Sequence, residues 1–259
     1  MSNRSERLNR LVAMLKENDV MSVKRLSEAL GVSEMTIRRD LDTLKSEAIV
    51  DRRHGAASYH RNNAAENIVS DYELYSAKIQ HNEEKDRIGK FAATLIEPGD
   101  VIVIDSGSTA DKLARYMPEN MDVTVLCYNY NVLSCLINKT LTKLIFPGGY
   151  YHPTEQLFES PQSIELIGGI RATKAFISAT GVHEKLGITC VNNYEVPNKR
   201  TVIQSAQTRI LITDSSKFGK VSPAYFAQLS EMDMIITDSE LPADWKNIIE
   251  RTDIRLFLV

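Results

Sequence analysis

Residues 20–55 read VMSVKRLSEALGVSEMTIRRDLDTLKSEAIVDRRHG, and the fold of the N-terminal part of the chain is decided there. Val23, Leu26 and Leu30 fall at i, i+3 and i+7, the spacing of one helical stripe. Gly31 stands where a helix end needs a left-handed backbone, and Val32 can pack back into the angle that follows. Ser33 is a good N-cap for a second helix, with Glu34 in its first turn facing the positive end of the dipole. In that helix Ile37, Leu41 and Leu44 point inward and leave Thr36, Arg38 and Arg39 off the buried face. Two helices joined by a Gly turn, the second carrying outward Thr and Arg, follow the plan of a helix-turn-helix. After them Ile49–Ala57 reads as a short apolar strand, a basic turn and a small-residue return, a wing that sets Arg52, Arg53 and His54 against phosphate. The DNA-facing set is therefore Lys24, Ser33, Thr36, Arg38, Arg39, Arg52, Arg53 and His54. A small helical packing module with a solvated charged face fits less well, because cap, turn, stripe and basic hairpin all agree.

Upstream, residues 3–17 carry a stripe of Leu8, Leu11, Val12 and Leu15, with Arg4, Arg7 and Arg10 off it. This is the supporting helix of the module. Residues 1–60 hold 11 Lys/Arg and 9 Asp/Glu, a balance of +2, and the rest hold 20 and 25, a balance of −5. So slight an excess means that DNA binding must rest on where the charges lie and on several copies of the module, hence an expected homo-oligomer. The 259 residues suit one small and one medium domain: 1–58 for DNA, 59–84 as a linker or connecting helix, and 85–259 as a second domain. Three cysteines, Cys127, Cys135 and Cys190, lack metal spacing and read as reduced thiols; no metal or other cofactor is expected. No signal peptide or long apolar run is evident, so a cytoplasmic protein with no membrane partner is expected.

Beyond residue 85 the texture changes. Ile88, Phe91, Ala92, Leu95 and Ile96 recur at helical spacing up to Pro98-Gly99. Then VIVID (101–105), VTVLC (123–127), TKLIF (142–146), KAFIS (174–178), RILIT (209–213), DMIIT (233–237) and IRLFLV (254–259) alternate with helical stretches. Short apolar runs of this kind suit strands buried on both faces, which predicts an α/β domain with a largely parallel sheet. Ligands of such sheets sit at the carboxyl ends of the strands. Asp105-Ser106-Gly107-Ser108-Thr109 follows a strand and opens the helix expected over 110–116, a natural phosphate seat; an Asp- and Ser-rich capping turn is the equal alternative. Glu195, in the polar loop 190–199, and Lys217, after the strand 209–213, complete a set suited to a phosphorylated polyol. For these two the bland readings are a solvated loop charge and a surface lysine. No GxSxG elbow and no His–Asp pair marks a catalytic residue, and His183 beside a glycine turn reads as structural. A sugar-phosphate isomerase carrying a DNA-binding module is the alternative, since carboxylates and a lysine can move protons.

LSEALGVSEMTIRRDLDTL with the wing IVDRRHGAA, and then IVIDSGST (102–109), FPGG (146–149), GIT (187–189) leading to Glu195, and ITDSSKFG (212–219), together resemble the DeoR family of bacterial transcriptional regulators over essentially the whole chain. The resemblance implies a non-enzymatic repressor that binds double-stranded operator DNA through a winged helix-turn-helix. It also implies a sensor domain similar to ribose-5-phosphate isomerase, and release by a phosphorylated sugar, with a pentose or deoxyribose phosphate as candidates. It carries phosphate binding onto Ser106, Gly107, Ser108 and Thr109, and polar effector contacts onto Asp105, Glu195 and Lys217. The family usually reads DSGTT where this chain has DSGST; serine keeps the hydroxyl.

Overall fold

The apolar stripes of the first fifty residues converge on one small core. In the computed structural model, which describes residues 3–17, 21–46, 50–53, 56–59 and 81–259, the chain divides into two units, 1–82 and 83–259. The first unit runs α1 (Asn3–Glu17), β1 (Met21–Ser22), α2 (Val23–Leu30), α3 (Glu34–Ser46), β2 (Val50–Arg53) and β3 (Ala56–Tyr59). Leu11, Leu15, Leu26, Ile37 and Leu41 are fully buried in its core. Ser22 caps α2 by accepting from the Arg25 N–H at 3.2 Å, and Gly31 ends it at φ 65°. Ser33 accepts from the Thr36 N–H at 3.2 Å and so caps α3. The wing forms as β2 antiparallel to β3, and β1 adds a third strand on the other side of β3.

Asp40 lies on the inward side of α3 and is 2% exposed. Burial of a carboxylate is costly unless it is paired. Arg7 of α1 supplies the partner, with Nε at 2.7 Å and Nη2 at 3.4 Å from the two carboxylate oxygens, and Arg4 Nη2 donates to Thr43 at 3.3 Å. Arg7, read from the stripe as merely off the core, thus fixes α1 against α3.

The second unit runs α4 (Asn82–Ala93), β4 (Val101–Ile104), α5 (Ser108–Tyr116), β5 (Val123–Cys127), α6 (Tyr130–Leu136), β6 (Thr142–Ile145), β7 (Tyr150–His152), β8 (Leu157–Glu159), α7 (Pro161–Gly169), β9 (Ala172–Ile177), β10 (Gly181–His183), β11 (Gly187–Cys190), α8 (Val196–Ser205), β12 (Ala206–Ile212), β13 (Ala224–Ala227), β14 (Met234–Thr237), α9 (Ala243–Glu250) and β15 (Arg255–Leu258). All seven apolar runs become strands of one sheet, ordered β15-β14-β12-β9-β4-β5-β6, and every pairing in it is parallel. Alternate residues of each strand face opposite ways. Val103, Leu126, Ile177, Leu211 and Ile235 enter one core with α7, α8 and α9. Ile102, Ile104, Val125, Phe176 and Ile210 enter another with α4, α5 and α6. No helix among the described residues is long and apolar enough to cross a membrane.

Three features differ from the sequence reading. The stretch 190–199, read as a polar loop, is a 3-10 turn (Asn193–Glu195) running into α8. Pro197 near its first turn suits a helix start. Its buried face includes Asn198, Lys199 and Ser205, which blurs the apolar period. The helix after Asp105 begins at Ser108, so Ser108 and Thr109 belong to its first turn. The antiparallel pieces β7–β8 and β10-β11-β13 are additions. The expected connecting helix before residue 81, residues 60–80 of the linker, His54 and the side chains of Arg52 and Arg53 lie outside the described residues.

Removing Arg7 would leave the buried Asp40 carboxylate with only the looser pair to Arg4, whose Nε lies 3.7 Å away. Arg7→Ala is therefore expected to cost the N-terminal unit about 2–4 kcal/mol in urea unfolding, against under about 1 kcal/mol for the exposed Arg10→Ala. Equal stability of the two variants would show that the pair contributes nothing.

Candidate functional site

The order of the parallel sheet reverses at β4. The chain moves outward through β5 and β6, then returns to the other side of β4 with β9 and continues to β12, β14 and β15. The carboxyl ends of β4 and β9 therefore flank a switch point, where open α/β sheets form their binding crevice.

Asp105 sits at that point and is fully buried. Its carboxylate accepts from the Tyr128 hydroxyl at the end of β5, from the Ser178 N–H at 2.9 Å at the end of β9, and from Lys199 Nζ at 2.5 Å on α8. Ser106 Oγ and Ser178 Oγ approach it at 3.4 Å each. Burial alone would lower the Lys199 pKa, but Asp105 and Glu195 outweigh it and hold the ammonium above its ordinary range. Burial, reinforced by Asp105, drives the Tyr128 hydroxyl well above its ordinary value, so it stays a donor. With both oxygens engaged by protein donors, Asp105 ties three strand ends and a helix together.

The loop that follows is shaped by Gly107, at φ 127°; a Cβ there would lie 2.7 Å from Ser178 Oγ. Ser178 Oγ also donates to the Ser106 carbonyl. Ser106, Ser108 and Thr109 are buried, the N-cap residue Gly107 has no side chain with which to cap α5, and Asp111 is the acidic residue of its first turn. Leading N–H groups of a helix and its dipole favour an anion.

Lys217, half-buried, ends the 3-10 turn Ser215–Lys217 at the end of β12, and Asp214 caps that turn. Lys85 of α4, 2% exposed, places Nζ 3.8 Å from the Asp214 carboxylate. Burial lowers its pKa to about 8; Asp214 opposes the shift and Lys217 adds to it. Lys85 and Lys217 thus both bear on the end of β12.

Glu195 is 6% exposed. Its carboxylate accepts from the Asn192 N–H at 3.1 Å, and the Asn192 amide reaches Glu155 at 2.8 Å and Glu195 at 3.4 Å. Burial raises the Glu195 pKa to about 7, against the pull of Lys199, and Asp105 and Glu155 add to the rise. Tyr194 donates its hydroxyl to Glu155, and its ring stacks on His152 at 3.7 Å. His183 accepts from the Lys185 and Leu186 N–H groups at 3.2 Å, a turn-closing role.

Of the sequence-derived sensor residues, Asp105–Thr109 form one continuous element at the switch point, Glu195 reaches their vicinity electrostatically, and Lys217 lies two strands away. Sequence reasoning missed Tyr128, Ser178, Lys199, Glu155 and Lys85. Lys85 carried a signal, for it stands in phase with Ile88 and Ala92 on a helix face otherwise apolar. Lys199 lies one turn after Glu195, at i+4.

On the DNA side, Lys24, Ser33, Arg38 and Arg39 are exposed, and Thr36 is half-buried with its hydroxyl 3.0 Å from that of Ser33. Arg38 Nη2 lies 3.3 Å from Glu34 in an exposed i, i+4 pair.

The profile of the DeoR-like helix-turn-helix domain matches residues 7–63, and that of the DeoR C-terminal sensor domain matches residues 80–239. The deoxyribose operon repressor of Escherichia coli K12 is 33% identical over 237 residues, which cover 92% of this chain and 91% of that protein. The HTH-type transcriptional repressor GlcR of Bacillus subtilis is 28% identical over 98% of this chain and 95% of its own. Among solved structures, ribose 5-phosphate isomerase A of Methanocaldococcus jannaschii is similar over 54% of this chain and 55% of that one, at 17% identity and a TM-score of 0.40, a likeness too distant to carry function. With both profiles matched in order along its length, the chain belongs to the DeoR family of helix-turn-helix transcriptional regulators.

Proposed function

We propose that the protein represses a carbohydrate or nucleoside catabolic operon and is released from its operator by a phosphorylated sugar, with a pentose or deoxyribose phosphate as the favoured class. The names of the relatives, a deoxyribose operon repressor and GlcR among them, support the operon class. The observation that carries the effector reading is the buried, glycine-led N-terminus of α5 at the switch point of the sheet.

In this reading the N–H groups and hydroxyls of Ser106, Gly107, Ser108 and Thr109 seat the phosphate. Two strand spacings separate β4 from β12, roughly 10 Å, a span across which Lys217 and Lys85 can lean toward the same anion. A phosphate between them would relieve their mutual repulsion. Glu195 and Glu155 form the polyol end, where carboxylates accept from sugar hydroxyls. Asp105 is a positioning residue, because its oxygens are already taken. So engaged, Asp105 is itself poorly placed to serve as the base of the isomerase alternative. The effector must bind the DNA-released state more tightly than the DNA-bound state, since equal affinity would shift nothing.

On DNA, α3 enters the major groove as a recognition helix of a homo-oligomer. Arg38 exchanges Glu34 for a base edge at little cost, an exposed ion pair being worth little. Arg39 and Thr36 lie on the same approach, with Lys24 and the wing residues Arg52, Arg53 and His54 on the backbone.

Two outcomes test the site. Lys217→Ala should leave operator binding intact in a gel-shift assay and raise the sugar-phosphate concentration needed for release at least tenfold; release at the wild-type concentration would remove Lys217 from the site. Glu195 gives a pH signature. Its folded pKa of about 7 exceeds the ordinary 4.5, so its contribution to stability is complete below 4.5 and is lost as pH rises through 7. The melting temperature of the sensor unit should fall between pH 5 and 8, and Glu195→Gln should flatten that slope. An unchanged slope in the variant would place the titration elsewhere.

A further inference from the structure

The exposed side of the recognition helix is not uniformly polar. Met35, in its first turn, is 59% exposed. It lies one turn before Arg39, and the pair points directly away from the buried stripe of Ile37, Leu41 and Leu44. Glu34 and Arg38 occupy the flank of the same face, bonded to each other. Nothing in the module's core uses Met35: its cluster contains Met14 and Met21 but not this side chain. An unbranched thioether chain with charged neighbours thus stands in the first turn of α3, and in a helix-turn-helix the N-terminal residues of the recognition helix contact base edges.

We infer that Met35 is a specificity-determining residue that packs on the C5-methyl group of a thymine in the operator, beside the base or phosphate bound by Arg39. The chemistry commits to that occupant. Within the major groove the thymine methyl is the apolar feature that base edges present, and apolar side chains read it by contact. The flanking arginines match the charge of the duplex, so the same face supplies both attraction and an apolar reader. Burying a methyl group against Met35 also removes from water a side chain that is exposed in the free protein. The adaptable, polarisable chain of methionine can follow the methyl without a fixed rotamer. The inference rests on the proposal that α3 occupies the major groove.

The test uses the full-length protein and duplexes it enriches from a random pool. Each thymine of the enriched site is replaced in turn by deoxyuridine, which deletes only the methyl group. At one thymine in each half-site the swap should weaken wild-type binding about fourfold, the factor equivalent to one buried methylene or methyl group. The same swap should leave Met35→Ala unaffected, while Met35→Leu should keep most of the sensitivity. Arg39→Ala, run alongside, should change affinity or base preference whether or not Met35 reads a methyl. If no deoxyuridine effect depends on residue 35 while Arg39→Ala does matter, the methyl contact is wrong and the groove placement stands. If neither variant alters recognition, the placement of α3 fails with it. A methyl effect that follows Thr36→Ser instead would assign the reading to the threonine and overturn the inference.

Discussion

Everything in the sensor unit turns on the burial of one carboxylate. Asp105 lies at the switch point of a parallel sheet, inside a protein core, where an unpaired charge is costly. Lys199 from α8, Tyr128 from β5 and Ser178 from β9 pair and bond it, so three strand ends and a helix share one anchor. The anchor fixes the backbone immediately after it. Gly107 can then turn against Ser178 with no side chain in the way, and α5 starts with its N–H groups held at the mouth of the crevice. In the proposed reading this N-terminus seats the phosphate, and a seat shaped by the protein's own bonds would limit the ordering cost of binding.

The DNA-binding unit uses the same device on a smaller scale. Asp40 sits inside a three-helix core too small to tolerate much slack, and Arg7 closes it from another helix. The pair holds α3 so that its outward residues keep a constant presentation. Ion pairs buried in this way add little net stability against an apolar replacement, yet losing one partner is expensive. Their effect is on geometry: Met35, Arg38 and Arg39 point where Asp40 and the apolar stripe leave them.

Much of this was legible in the sequence, and the misses share one cause. The seven strands of the main sheet were visible because each is buried on both faces and so reads as an unbroken apolar run. The helix-turn-helix was visible because caps, glycine turn and stripe are local signals. Helix α8 was not, since its buried face carries Asn198, Lys199 and Ser205, and a polar buried face erases the period that marks a helix. Lys199, Tyr128 and Ser178 could not be gathered around Asp105 from sequence, because they lie 94, 23 and 73 residues from it. Glu195 was singled out by its place in a polar stretch, but its burial, and therefore its raised pKa, came from packing that no spacing reveals. The short antiparallel pieces are too brief to leave an alternation.

The central claim is that the switch-point crevice recognises phosphate joined to a sugar. Calorimetric titration of the full-length protein with matched pairs of pentoses, deoxypentoses and hexoses, each with and without its phosphate, tests it most directly. The account predicts that at least one phosphorylated sugar binds and raises the melting temperature of the protein, while its unphosphorylated partner at the same concentration does neither. A folded protein that binds none of the phosphates, or binds a sugar equally well without its phosphate, would contradict it.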